Sequence, residues 1–288
     1  MRKLVSAYFH GIFKPLIQLG LPMSDIIDET ANYVLDLASP QRLNILFNLL
    51  NKNSNPTEIA KKLDATKQEV HRNFTRLVDS GLIEKKIDGK YSLTSFGEVV
   101  CTQVPTIVFF SQNRKYFQEH ILGDIPYKFK MRCGQLANGK HVKGFSRVME
   151  QWKSVYKNAD EYIYEILSEV PLDLIEPLVK RVKKGVKFNY IFSESALVPQ
   201  GRKSLLKKLG FEKLVEKGLV ERKMRSNVQT ILVLSEKEAC VFFPLKGGES
   251  DLSEMFYSND PMFHEWCLDY FRYSWYGSDL FEESKLKE

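Results

Sequence analysis

The amino-acid sequence predicts two domains, a small α+β unit near the front and an α/β domain behind it. Three observations carry that expectation. A narrow apolar stripe at helical spacing, Val70, Phe74 and Leu77, is followed by Gly81 and by an Asp88-Gly89 turn between two strand-like runs. From about residue 155 onward, strand-like and helical runs alternate, the pattern of an α/β domain. Finally, 288 residues, 43% of them hydrophobic, suit two modest cores better than one large one.

The elements follow in order. In residues 1–38, Tyr8, Phe9, Ile12, Phe13, Leu16 and Ile17 recur at helical spacing, and Ile26, Ile27, Tyr33, Val34 and Leu37 continue the pattern. Ser39-Pro40 then opens an amphipathic helix over Gln41–Leu50, with Ser as cap and Pro in the first turn. Asn55-Pro56-Thr57 opens a short helix, Glu58–Leu63, with Ile59, Ala60 and Leu63 inward, and Asp64-Ala65 is a tight turn. Thr66 caps the next helix, and Glu69 three residues later completes a capping-box pattern. Gly81 ends this helix in a left-handed conformation. Leu82–Ile87 and Lys90–Thr94 flank Asp88-Gly89 as a two-residue hairpin. Helix, helix-turn-helix and hairpin, within 39–104, is the order of a winged helix.

Composition narrows the function classes. The longest apolar runs, such as Thr106–Phe110, fall far short of the roughly 20 residues that span a bilayer, so no membrane partner is expected. Arg2, Lys3, Lys14 and Pro15 interrupt any signal-peptide core. Cys101, Cys133, Cys240 and Cys267 lie far apart and never as CxxC, the usage of reduced, buried thiols in a cytoplasmic protein. Charge is uneven: residues 178–225 hold fourteen Lys/Arg against four Asp/Glu, and residues 226–288 hold five against twelve. A solvated charged face is the ordinary reading of such blocks, but an anionic small-molecule effector, DNA or a second copy of the chain would each suit them.

The residues of the front domain also carry a resemblance. Glu58-Ile-Ala-x-x-Leu63, then Val70-x-Arg72-x-Phe74-x-x-Leu77-x-x-x-Gly81-Leu82-Ile83, then Tyr91-x-Leu93-Thr94-x-x-Gly97, resembles an ArsR-like winged helix-turn-helix. Within that group it is most similar to archaeal transcription regulators. The resemblance implies that the Thr66–Ser80 helix enters the major groove of double-stranded DNA. Arg72 and Gln68 are then the best-placed base readers, since Arg bonds guanine and Gln bonds adenine bidentately. Lys67, His71, Thr75 and Arg76 would reach phosphates or base edges, and Lys85, Lys86 and Lys90 put positive charge on the wing. The resemblance further implies a homodimer, joined through residues 1–38 and the helix Glu98–Phe110. A winged helix used for protein contacts is the alternative, because residues 39–100 carry ten basic against seven acidic groups.

Residues 105–154 read as a partly helical connector: Asn113–His120 helical, Lys128–Leu136 a short basic amphipathic segment, Ala137–Lys140 a turn. Beyond it come a strand at Glu161–Leu167, a helix at Leu172–Lys184 closed by Gly185, and a strand at Val186–Phe192. A helix at Arg202–Lys217, a strand at Leu219–Lys223 and a hairpin of Thr230–Leu234 with Glu238–Phe243 follow. An aromatic-rich helix, Asp260–Trp275, ends the 155–288 domain. ADEYIYEILSEVP (159–171), RVKKGVKF (181–188), ILVLSEKEACVFFP (231–244) and Asp260-Pro261-x-Phe263-x-x-Trp266 resemble the middle domain of archaeal regulators of the methanogenesis-and-filamentation type. They are also similar to the phospholipase-D-like sensor domain of the TrmB sugar regulators. That implies a non-catalytic effector-sensing or dimerisation domain.

Phospholipase-D chemistry needs His and Lys in HxK with an Asp five residues after the Lys. The chain has His141-Val142-Lys143, but Val148 stands where the Asp belongs, no GSxxN follows, and HVK precedes a helix rather than lying on a strand. No phosphate loop, nucleophile elbow or dinucleotide fingerprint is present, so no cofactor and no enzyme activity is expected. His264 and Cys267 share a helix face, yet two such residues in an aromatic helix read as packing rather than metal ligands. The aromatic crowding over 256–276 reads as a core seam rather than the wall of an apolar pocket. The sequence therefore predicts a one-component, ligand-sensing transcription regulator, with a phosphodiesterase-like enzyme or a winged-helix adaptor as the other readings.

Overall fold

A computed structural model describes residues 23–169 and 171–286. The expected helical spacing of Tyr8, Phe9, Ile12, Phe13, Leu16 and Ile17 lies outside the described residues. The chain divides into two compact units, one up to Gln103 and one from Val104 on.

The first unit contains α1 (Met23–Leu37), α2 (Pro40–Asn51), α3 (Pro56–Leu63) and α4 (Lys67–Asp79), then β1 (Ile83–Lys85), β2 (Tyr91–Leu93) and the start of α5 (Ser95–Gln112). Ser39 caps α2 through its hydroxyl, with Pro40 at the first position, as its sequence predicts. Arg42, one turn in, turns back to bond the carbonyls of Asp36 and Leu35 at 2.6 and 2.8 Å, covering the open end of α1. A full capping box forms at α3: the Asn55 side chain accepts from the Glu58 amide, and the Glu58 carboxylate accepts from the Asn55 amide. Asp64 takes the left-handed turn that redirects the chain into α4.

Ile45, Leu46 and Leu49 of α2, Ile59 and Ala60 of α3, and Val70, Phe74 and Leu77 of α4 converge on one core with Leu82, Ile83 and Leu93. The narrow stripe on α4 is thus sufficient, because three helices and the hairpin close round it. The hairpin differs from its expected form. Its strands pair Ile83 with Leu93 and Lys85 with Tyr91, and the Lys86 amide bonds the Lys90 carbonyl at 2.7 Å. Three residues, Ile87, Asp88 and Gly89, therefore make the turn, with Gly89 at φ +80° as its left-handed member. Ser54 adds a third, single-residue strand, exchanging two backbone bonds with Tyr91.

The second unit is built on an eight-stranded sheet: β3 (Lys140–Lys143), β4 (Tyr162–Glu169), β5 (Lys187–Leu197), β6 (Val220–Arg225), β7 (Ile231–Ser235), β8 (Ala239–Phe242), β9 (Glu254–Ser258) and β10 (Asp279–Leu280). Its order is β10-β6-β5-β4-β7-β8-β9-β3, with β4, β5 and β6 parallel and the rest antiparallel. Side chains alternate between two cores. Ile163 and Leu167 of β4 and Phe188, Tyr190 and Phe192 of β5 face one core, under α6 (Phe145–Asn158), α7 (Leu172–Val182), α8 (Arg202–Leu209) and α9 (Phe211–Glu216). Ile166, Ile191, Leu232 and Leu234 face the other, under α10 (Pro261–Tyr276).

Several elements depart from expectation. The expected connector supplies β3 and α6, and Phe109, Tyr116, Ile125, Phe129, Cys133 and Leu136 join the core beneath α10. His141-Val142-Lys143 does lie on a strand, contrary to expectation; its four residues form the sheet edge beside β9. The single helix expected over Arg202–Lys217 is broken at Gly210, whose φ of +68° ends α8 and starts α9. All four cysteines are buried. Among the described residues no helix is long and apolar enough to cross a membrane.

Candidate nucleic-acid interface

Helix α4 begins at Thr66, whose hydroxyl accepts from the Glu69 amide at 3.2 Å. The expected reciprocal half of the capping box is missing, because the Glu69 carboxylate is engaged elsewhere. Gln41 Nε2 donates to Glu69 at 2.7 Å, and Gln41 Oε1 accepts from Asn73 Nδ2 at 2.5 Å. One glutamine of α2 thus locks two successive turns of α4 and fixes the rotation of that helix about its axis. At the other end the Gly81 and Leu82 amides bond the Val78 and Leu77 carbonyls at 2.9 and 3.0 Å, a Schellman closure with Leu82 buried.

With Val70, Phe74 and Leu77 inward, the opposite face is solvent-facing. Lys67, Gln68, His71, Arg72 and Thr75 are all exposed. Thr75 donates its hydroxyl to the His71 carbonyl within the helix. Among the described residues, nothing bonds the side chains of Gln68 and Arg72. Arg76 is placed otherwise. Its Nε–H donates to Asp36 Oδ1 of α1, an ion pair in which Asp36 is nearly buried. That guanidinium is tied to α1 through Nε, while the side chain stays about half exposed.

On the wing, Lys85 and Lys86 are exposed, and Lys90 is half-buried. Lys86 Nζ lies 2.6 Å from Glu84, so part of the wing charge is neutralised locally. At the tip, Ile87 is fully exposed between Lys86 and Asp88. A groove runs between α4 and the wing, lined by Lys61, His71, Lys85, Gly89, Tyr91 and the first turn of α3. A second concavity, beside Ser39, Pro40, Gln41 and Asn73, has Arg72 on its rim. Of the expected contact residues, His71 and Lys85 thus line one groove and Arg72 the other.

The HxK pair of the second unit is arranged differently from a nucleophile and its helper. His141 Nε2 and Lys143 Nζ both approach Glu254 Oε2, at 2.7 and 3.2 Å. The His141 ring is stacked on Phe256 and edged against Tyr116, and burial lowers its pKa. His120, stacked on Tyr116, is fixed by Asp251 at 2.9 Å. His264 bonds the Ser235 carbonyl at 2.7 Å, while Cys267 is buried in the core. Phe263, Trp266, Tyr270 and Phe271 pack into the core seam against the sheet. The basic and acidic blocks also meet, with Arg202 and Arg222 near Glu283 and Lys285 on Glu194.

No curated protein matches the sequence. Among solved structures the chain is similar to TrmBL2, an archaeal chromatin protein, at 11% identity and a TM-score of 0.40, over 84% of this chain and 93% of that one. It is also similar to Nuc, a phospholipase D family member from Salmonella typhimurium, at 14% identity and a TM-score of 0.39, over 51% of this chain and 99% of that one. NucT from Helicobacter pylori gives 11% identity and a TM-score of 0.38, over 50% and 100%. Residues 31–109, which include the whole of the α2–β2 unit and its exposed α4 face, match the family model described as the HVO_A0261 N-terminal domain.

Proposed function

We propose that this chain is a sequence-specific, DNA-binding transcription regulator that works as a homodimer, with its second unit sensing a small-molecule effector. The single observation that carries the reading is the outer face of α4. Five polar or cationic residues, Lys67, Gln68, His71, Arg72 and Thr75, are exposed on a helix whose rotation is locked by Gln41. A rigid helix with an unengaged Arg and Gln side by side is suited to a major groove, where both pair bidentately with bases. Lys85 and Lys86 on the wing would meet the flanking phosphates.

The homodimer is supported by apolar residues left in solvent on α1 and α5. Ile27, Val34 and Leu35 are each more than half exposed, as is Val99. A surface of this kind is suited to a second copy. In the same reading the chain is not an enzyme, since the HxK pair has Val148 where its Asp belongs and the His141 ring is packed against aromatic rings. Effector and DNA would each bias the affinity of the other by the same factor.

Selection of bound duplexes from a random library, followed by anisotropy titrations at several salt concentrations, tests the proposal. The expected result is an enriched sequence, with an affinity that falls log-linearly with salt. Failure to enrich any sequence, with no salt-dependent binding, would instead favour the protein-binding adaptor.

A further inference from the structure

We infer that the second unit binds a small organic acid, its carboxylate held by Arg202 and Tyr190 and its short apolar tail inserted between β5 and the helices α7, α8 and α9. The inference rests on the effector-sensing part of the reading above and gives that effector a chemical class.

Between the sheet and these helices lies a cavity walled by Leu174, Leu178, Phe188, Phe192 and Phe211. Its free space is about 40 Å³, room for a few waters or a short alkyl group rather than a long chain. The far wall is closed by Glu165, whose carboxylate accepts from Trp152 Nε1 at 3.0 Å and from the Tyr156 hydroxyl. The near wall holds two donors of a different kind. Arg202 is 4% exposed, yet its Nη1 has no hydrogen-bond partner. Tyr190 is 3% exposed, and its hydroxyl, which lies beside the Arg222 guanidinium, also makes no aligned hydrogen bond. Buried polar groups are nearly always satisfied, so two donors without an aligned partner, on residues that line one cavity, call for an acceptor that both can reach.

Glu283 shows what that acceptor would be. It lies on the segment 279–286, and its carboxylate oxygens stand 3.5 Å from Arg202 Nη1 and 3.5 Å from Arg222 Nη1. Charge-assisted pairs close to about 2.7–2.9 Å when they are well made. Glu283 is also nearly half exposed, so it balances the two guanidiniums without filling the site. Phe281, beside it, lies over Arg222 at 4.5 Å and packs edge-on to Tyr190 at 6.0 Å. This segment therefore covers the Arg202 and Arg222 guanidiniums as an internal stand-in. A ligand carboxylate that displaces Glu283 gains the Arg202 Nη1–H and the Tyr190 hydroxyl as donors, while its tail meets phenylalanine and leucine. A neutral molecule of the same shape gains only the apolar contact. A simple inorganic anion gains only the charge.

The test uses the full chain with no DNA present, so its outcome is independent of whether α4 reads a duplex. Acetate, propionate and isobutyrate are titrated by calorimetry and thermal shift, against their amides and inorganic phosphate. At least one of the three acids is expected to bind saturably and raise the melting temperature, with the amide and phosphate at least tenfold weaker. Glu283→Gln, at an exposed position, removes the internal competitor and is expected to tighten that acid several-fold. Arg202→Gln and Tyr190→Phe are expected to weaken it tenfold or more. If Arg202→Gln does not fold, the Glu283→Gln comparison decides alone. The inference is overturned if no acid binds either the wild type or Glu283→Gln, if the amide binds as well as the acid, or if Glu283→Gln leaves the affinity unchanged.

Discussion

Asp36 at the end of α1 and Arg76 in the last turn of α4 form an ion pair across forty residues of chain. The Asp36 carboxylate is nearly buried, while Arg76 remains about half exposed. Arg76→Ala would leave that carboxylate without its cation and is expected to lower stability by about 1–3 kcal/mol. Affinity for selected DNA should change little once the folded fraction is corrected for. Urea melts paired with anisotropy measure both, and a large loss of affinity at unchanged stability would return Arg76 to the reading face.

Arg72 should behave in the opposite way. Its side chain is exposed and, among the described residues, unengaged. Arg72→Ala is expected to weaken binding to the selected sequence by about 1–3 kcal/mol and to relax preference at one base position. The urea midpoint should stay where it is. Equal binding of all sequences by wild type and variant would remove α4 from the reading role.

Gly97, in the first turn of α5, tests the packing of the first unit. A Cβ built there would lie 2.0 Å from the Leu82 carbonyl oxygen and 2.9 Å from its carbon. Backbone is the obstacle, and that carbonyl already accepts from the Thr94 amide at 3.1 Å. Gly97→Ala is expected to destabilise the unit by about 1–3 kcal/mol, the usual cost of overpacking, despite the gain in helix propensity. An unchanged melting temperature would show that α5 moves freely away from Leu82.

Glu165 gives a prediction in pH. Burial, more than its hydrogen bonds from Tyr156 and Trp152 can offset, pushes its pKa from 4.5 up to about 7. Between those values the unfolded chain has released the proton and the folded chain keeps it. Stability from this group therefore falls as pH rises through that window, by about 3 kcal/mol in all, and stays low above it. Glu165→Gln keeps the acceptor oxygen and loses the slope. The stability of the variant relative to wild type should climb from pH 4.5 to 7 and then level off. Parallel stability profiles for the two proteins would contradict it.

The first unit was largely legible because its signals are local. Ser39-Pro40, Asn55-Pro56, Thr66 and Gly81 are caps that act within one turn, and Val70, Phe74 and Leu77 repeat at the helical period. Glu69 misled for a local reason: its spacing from Thr66 fits a capping box, but Gln41, 28 residues earlier, takes its carboxylate. Nothing in the sequence marks Asp36 as the partner of Arg76. In the second unit β4 was readable from the alternation of Glu161–Leu167, and β7 as one arm of a hairpin with Glu238–Phe243. Strand β3 was not, because an edge strand of Lys-His-Val-Lys lacks the apolar run of a buried strand. Arg202 read as one more cation in a basic block, and only the fold places it in a cavity with Tyr190.

Among the described residues, strand β3 (Lys140–Lys143) pairs only with β9 (Glu254–Ser258), more than a hundred residues further along the chain. During synthesis at about 5–20 residues per second, the earlier strand leaves the ribosome roughly ten seconds before its partner exists. The α2–β2 unit, whose neighbours are close in sequence, closes in that interval, whereas the sheet waits with its edge open. Chaperone demand and aggregation during expression should therefore fall on the sheet, and substitutions that slow its closure should lower yield before they lower equilibrium stability.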